Sequence, residues 1–119
     1  MRQLLASAVF TLGSLTSVAA FAGDADFTLV NATGYTIEGV FLAPAKKNDW
    51  GKDRLGEKVL DNNQSRLFKF SDTANCVQDL QVQFEEGGDA TWENLDLCEI
   101  NKLTIKYNKA TKTVSVIKE

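Results

Sequence analysis

Cys76 and Cys98 are the only cysteines in the chain, and the segment they bracket constrains the fold more than any other. Within it Leu80, Val82 and Phe84 alternate with Asp79, Gln81 and Gln83. A period of two marks a strand with one buried face and one solvated face. The same parity points Cys76 inward. Glu85-Glu86-Gly87-Gly88-Asp89 then supplies a glycine-bearing reversal, and Ala90-Thr91-Trp92-Glu93 returns as the second strand of a hairpin. A two-residue loop at Gly87-Gly88 places Trp92 on the face of Gln83. A three-residue loop instead places Ala90 and Trp92 on the core face with Val82 and Phe84, and burial of an indole favours it.

The start of the chain reads as a leader rather than as fold. Arg2 gives a positive beginning, Leu4 to Ala19 is apolar with Ser, Thr and Gly interspersed, and Ala20-Phe21-Ala22 has the small-x-small spacing that signal peptidase cleaves. Cleavage is expected before Gly23. The apolar run is too short and too interrupted for a membrane span, and no cysteine stands near the cleavage site to take a lipid. Residues 23–119 then form one domain, with twelve Lys and Arg against sixteen Asp and Glu and a net charge of −4. That balance gives no basic footprint for nucleic acid, and no membrane attachment is expected after cleavage. In an oxidising periplasmic or extracellular compartment, two cysteines this far apart are expected to form a structural disulfide. Their spacing is unlike a redox or metal C-x-x-C pair.

The rest of the domain reads as short strands separated by turns. Asp26 to Asn31 is a first strand, Ala32-Thr33-Gly34 a turn, and Tyr35 to Leu42 a second strand ended by Pro44. Asn31-Ala32-Thr33 matches a glycosylation acceptor but reads as a tight turn. Val59-Leu60 is a short strand, and Arg66 to Phe70 a strand with Phe68 and Phe70 inside. The mixed apolar spacing of Asn94 to Ile100 predicts an irregular or single-turn helical connection rather than a strand. Leu103, Ile105 and Tyr107 alternate cleanly in the next strand, and Val114 and Val116 face inward in the last. Seven to eight short strands with a turn signal about every ten residues predict an all-β antiparallel sandwich.

Lys46 to Gly56 is a polar loop holding one large apolar residue, Trp50. Asp49 and Asp53 are four apart and could bind a cation through oxygen, although the loop lacks the carboxylate ladder of a calcium site. A structural role has Asp49 capping a short turn, Trp50 and Leu55 pinning the loop to the core, and the glycines supplying positive φ.

Four segments together carry a family resemblance: Leu29-Val30-Asn31-Ala32-Thr33-Gly34-Tyr35, Asp49-Trp50-Gly51-Lys52-Asp53-Arg54-Leu55-Gly56, Cys76-Val77-Gln78-Asp79-Leu80 and Trp92-Glu93-Asn94-Leu95-Asp96-Leu97-Cys98-Glu99-Ile100. On these the chain resembles a family of small exported bacterial β-proteins that brings no activity with it. Some members are labelled argininosuccinate lyase. Those enzymes are large helical tetramers with active sites shared between subunits, which a single short β-domain does not match.

The chain has no histidine, so Ser-His-Asp triads, Cys-His dyads and His-ligated zinc are excluded. Acids such as Asp79, Glu93 and Glu99 would be the material for a carboxylate-based hydrolase, but a domain this small offers little cleft for one. Neither an enzyme nor a cofactor is expected. Charge is more informative, because residues 70–101 hold eight acids and no Lys or Arg, whereas 102–119 hold five lysines and one acid. Either Lys102 and Lys106 pair with the hairpin acids across neighbouring strands, or the acids form a surface for a basic protein or peptide. The second reading makes the chain a monomeric, non-catalytic interaction module with Glu85, Glu86, Asp89, Glu93, Asp96 and Trp50 as binding residues. The alternative is a cation-binding structural protein using Asp49 and Asp53.

The exported protein is expected to begin at Gly23 and to carry the Cys76–Cys98 bond. Its intact mass should fall short of the reduced chain by two hydrogens. Titratable thiols in unfolded, unreduced protein would contradict this.

Overall fold

The computed structural model describes residues 24–119. The expected leader, Met1 to Ala22, lies outside the described residues. Among these residues seven strands are present: β1 (Phe27–Ala32), β2 (Ile37–Pro44), β3 (Ser65–Phe68), β4 (Val77–Phe84), β5 (Asp89–Asp96), β6 (Lys102–Asn108) and β7 (Thr113–Lys118). They form a four-stranded sheet in the order β3-β1-β6-β7 and a three-stranded sheet in the order β2-β4-β5. Among the described residues there is no helix.

Alternation drives the layering. Phe27 and Leu29 of β1, and Leu103 and Ile105 of β6, turn toward Val40 and Leu42 of β2 and Leu80 and Val82 of β4, all of them buried in one core. Phe27 stacks on Phe68 with ring centroids 5.6 Å apart, and Phe70 packs against the same core. The strand pairs are antiparallel except for β1 and β6, which run parallel from Thr28 opposite Lys102 to Ala32 opposite Lys106. A parallel pair needs a long connection, and here the whole of β2 to β5 supplies it.

The β4–β5 hairpin has the three-residue loop. Val82 lies opposite Ala90 and Leu80 opposite Trp92, so Ala90 and Trp92 pack against the core. Phe84 N–H donates to Gly88 O at 3.0 Å, and Gly87 N–H donates to Phe84 O at 3.0 Å. This leaves Glu85-Glu86-Gly87 as the loop, with Gly87 at φ 102°, where a side chain would be strained.

Farther from the tip the simple period fails, and with it two expectations. The register shifts between Gln78 and Leu80, and Asn94 takes a positive φ of 59°. This bulge buries three consecutive residues, Gln78, Asp79 and Leu80, so the parity of Leu80 does not carry back to Cys76, which is exposed. It also lets β5 continue to Asp96, where an irregular connection was expected; the turn begins only at Leu97. The buried Asp79 carboxylate secures the bulge, accepting from Asn94 N–H at 2.9 Å and from Lys46 N–H at 3.3 Å. Cys76 and Cys98 are joined in a disulfide with Cα atoms 5.2 Å apart, and Leu97 N–H donates to Cys76 O beside it. Closing a loop of this length contributes about 3 kcal/mol in the chain-entropy model.

The long connection from β2 to β3 covers the edge of β2. Asp53 accepts from Val40 N–H at 3.0 Å and from Leu55 N–H at 2.9 Å, and Arg54 N–H donates to Val40 O at 2.7 Å. Val59-Leu60 is not a strand. Leu60 makes a single bridge to Ile37, and Val59 is 42% exposed. The two apolar residues of the loop behave differently: Leu55 is buried in the core, whereas Trp50 is half-buried and lies outside the residues packed on it. The expected pinning therefore falls to Leu55 alone. Leu55→Ala should lower stability by about 3 kcal/mol in denaturant unfolding. Trp50→Ala should cost less than about 1 kcal/mol, as is usual away from packed sites. Equal losses at the two positions would contradict this division.

Candidate functional site

One end of the sandwich is shaped by a buried amide. Asn31, at the inward position near the end of β1, is fully buried. Its Nδ2 donates to Tyr35 O at 2.7 Å and to Leu60 O at 2.9 Å. Its Oδ1 accepts from Thr33 N–H at 3.0 Å and from the Thr33 hydroxyl at 2.7 Å. Every hydrogen-bonding valence of that side-chain amide is used inside the protein. Burial leaves no room for a glycan at the Asn31-Ala32-Thr33 acceptor pattern in the folded chain. The Asn31 bonds hold the β1–β2 turn in place and so fix where Tyr35 stands.

Tyr35 meets Tyr107 of β6 edge-to-face, with ring centroids 5.5 Å apart and planes at 77°. Across from them is the β4–β5 tip. Between the tip and the two tyrosines lies an open groove of about 330 Å³. Phe84 and Val114 add apolar wall, and Glu86 and Asp89 are the charged residues in its lining. Both acids are exposed.

The acids expected to act together are divided by the fold. Glu85, Glu86 and Asp89 share the exposed tip. Glu93 is exposed part-way along β5, and Asp96 ends that strand with one carboxylate oxygen accepting from Cys98 N–H at 3.1 Å. Asp89 and Asp96 stand at the two ends of the eight-residue strand β5, about 23 Å apart. Among the described residues no lysine forms an ion pair with the tip acids, although Lys109 and Lys112 stand in the β6–β7 turn at the same end of the sandwich. Lys102 and Lys106 belong to β6 in the other sheet, so they are not cross-strand neighbours of the hairpin acids. The ion pair found among the described residues is Lys102 with Glu119 at 3.7 Å, both exposed.

The remaining candidates serve other ends. Asp49 is exposed, and one Asp53 oxygen is held by two backbone amides. Asp79 is buried in the bulge, while Glu93 and Glu99 are exposed. Cys76, Asp96 and Cys98 bring possible metal-ligand atoms within 4.8 Å of one another, but both sulfurs are committed to the disulfide. Trp50, half-buried, stands in the β2–β3 connection and does not line the groove.

The groove tyrosines were not singled out by the sequence as site residues. Tyr107 alternates with Leu103 and Ile105 as a core residue would, and Tyr35 reads as the first residue of a strand. What distinguishes them is their place at one end of the sandwich, Tyr35 in the β1–β2 turn and Tyr107 near the end of β6.

No helix among the described residues is long and apolar enough to cross a membrane. Comparison of the chain with protein-family models, curated proteins and solved structures finds no significant match.

Proposed function

We propose that the protein is an exported, non-catalytic interaction module that receives a basic protein or peptide on the tip of the β4–β5 hairpin. The observation that carries this reading is the separation of charge between the two sheets. Glu85, Glu86 and Asp89 stand exposed at the end of one sheet, and Lys102, Lys106 and Lys118 belong to strands of the other. Lys109 and Lys112 stand in the β6–β7 turn at the same end, but no ion pair among the described residues holds the tip carboxylates, which leaves them free to steer a cationic surface toward the tip at low salt. The disulfide and the leader-like first residues support export to the periplasm or beyond. The lack of histidine and the structural commitments of Asp53 and Asp79 support a binding role over chemistry.

The test is surface plasmon resonance against a cationic lysozyme-type protein and against a periplasmic extract. Reversal of charge at Glu85 and Glu86 should slow association and flatten its salt dependence. Stability should change by less than about 0.5 kcal/mol, because the tip lies outside the core. An association rate unchanged at low ionic strength would return the tip to ordinary solvated surface.

A further inference from the structure

The groove beside the tip offers apolar wall as well as charge. Its wall combines aromatic faces with two carboxylates, and among the described residues no lysine or arginine lines it. The edge-to-face pair of Tyr35 and Tyr107 leaves each ring at least one face that the other does not cover. The negative face of an aromatic ring attracts a cation, and more strongly where water is partly excluded. A volume of about 330 Å³ lies at the small end of the range for ligand sites. It suits one long side chain rather than an extended peptide.

We infer that this groove receives a single arginine or lysine side chain of the partner. The aliphatic stem lies along Phe84 and Val114, and the charged head meets Glu86, Asp89 and the tyrosine rings. Long basic side chains are suited to such a place because an apolar stem precedes the charge. The inference rests on the hairpin tip being the docking surface and adds what is recognised there. Glu85 separates the two ideas, since it shares the tip and does not line the groove.

The probe is a short acetylated peptide of alternating arginine and glycine, titrated into isotopically labelled protein and followed by NMR. Its citrulline counterpart keeps the shape of each arginine and removes the charge. Shifts are expected at Gly87, Gly88, Tyr35 and Tyr107 with the arginine peptide and not with the citrulline one. Glu86→Gln combined with Asp89→Asn, and separately Tyr107→Leu, should each weaken binding on the order of tenfold. Tyr107→Phe should retain it, because the ring face remains. Glu85→Gln should change affinity by less than about twofold, since exposed charges at a rim act mainly on association rate.

Equal binding of the citrulline peptide, or no binding of the arginine peptide at millimolar concentration, overturns the inference. So do equal losses for all three acids with none for Tyr107→Leu, a result that leaves the acidic tip standing as a docking surface. Shifts that grow with protein concentration and spread to the lysines of β6 and β7 would identify a second copy as the occupant and also overturn it. If Tyr107→Leu does not fold, the Glu86 and Asp89 variant decides alone, because both side chains are exposed.

Discussion

The side chain of Asn31 is the interaction on which the groove end of this sandwich depends. An amide buried without partners costs several kcal/mol, so its position is tolerable only because four bonds are made at once. Two of its partners lie just downstream in Thr33, one is the Tyr35 carbonyl, and one is the Leu60 carbonyl, 29 residues away in sequence. Leu60 in turn exchanges both backbone bonds with Ile37 at 2.9 Å, and Asn63 N–H and Gln64 O bond the Asn31 backbone. A single residue thus ties the first turn to the far end of the longest connection. The position of Tyr35, and through it one wall of the groove, follows from that tie.

A second buried polar group organises the opposite end. Asp79 holds Asn94 and Lys46 through their amides, fixing the bulge in β5 and the exit of β2 together. The disulfide closes the same end of the hairpin, and at the tip Glu85 N–H donates to Thr36 O at 3.0 Å. The edge of β2 is covered by the Asp53 to Leu60 connection, while among the described residues β5 pairs with β4 alone. Glu93 is exposed on that open strand. Charges on an open edge discourage pairing with other strands, so Glu93 contributes to solubility whether or not a partner binds.

Much of the fold was legible because strands with one buried face declare themselves by alternation. Leu80 with Val82, Leu103 with Ile105, and Phe27 with Leu29 all lie where the period of two puts them. Burial of the indole also selected the correct hairpin loop. Errors gathered where a bulge breaks the period, at Cys76 and from Asn94 onward, and where exposure replaces pairing, at Val59. The parallel pairing of β1 with β6 has no local signature, since strand direction is set by connections that span most of the chain. For the same reason the acidic run could not be divided by reading it. Glu86 and Asp89 fall at the groove, whereas Asp79 goes to the core and Asp96 to a turn, and only the fold tells them apart. Trp50, the most conspicuous residue of its loop, left the anchoring to Leu55.

Asn31→Asp tests the central structural claim most directly, because it preserves size and shape while replacing the two donors of the amide. At neutral pH the new oxygen would face the carbonyls of Tyr35 and Leu60. Denaturant unfolding, with two-dimensional NMR of the tyrosine rings in the same samples, reads both consequences. A loss of about 3 kcal/mol is expected, as for a buried network broken at one partner, together with loss of the cross-peaks between Tyr35 and Tyr107. A variant that keeps wild-type stability and keeps those cross-peaks would contradict the account.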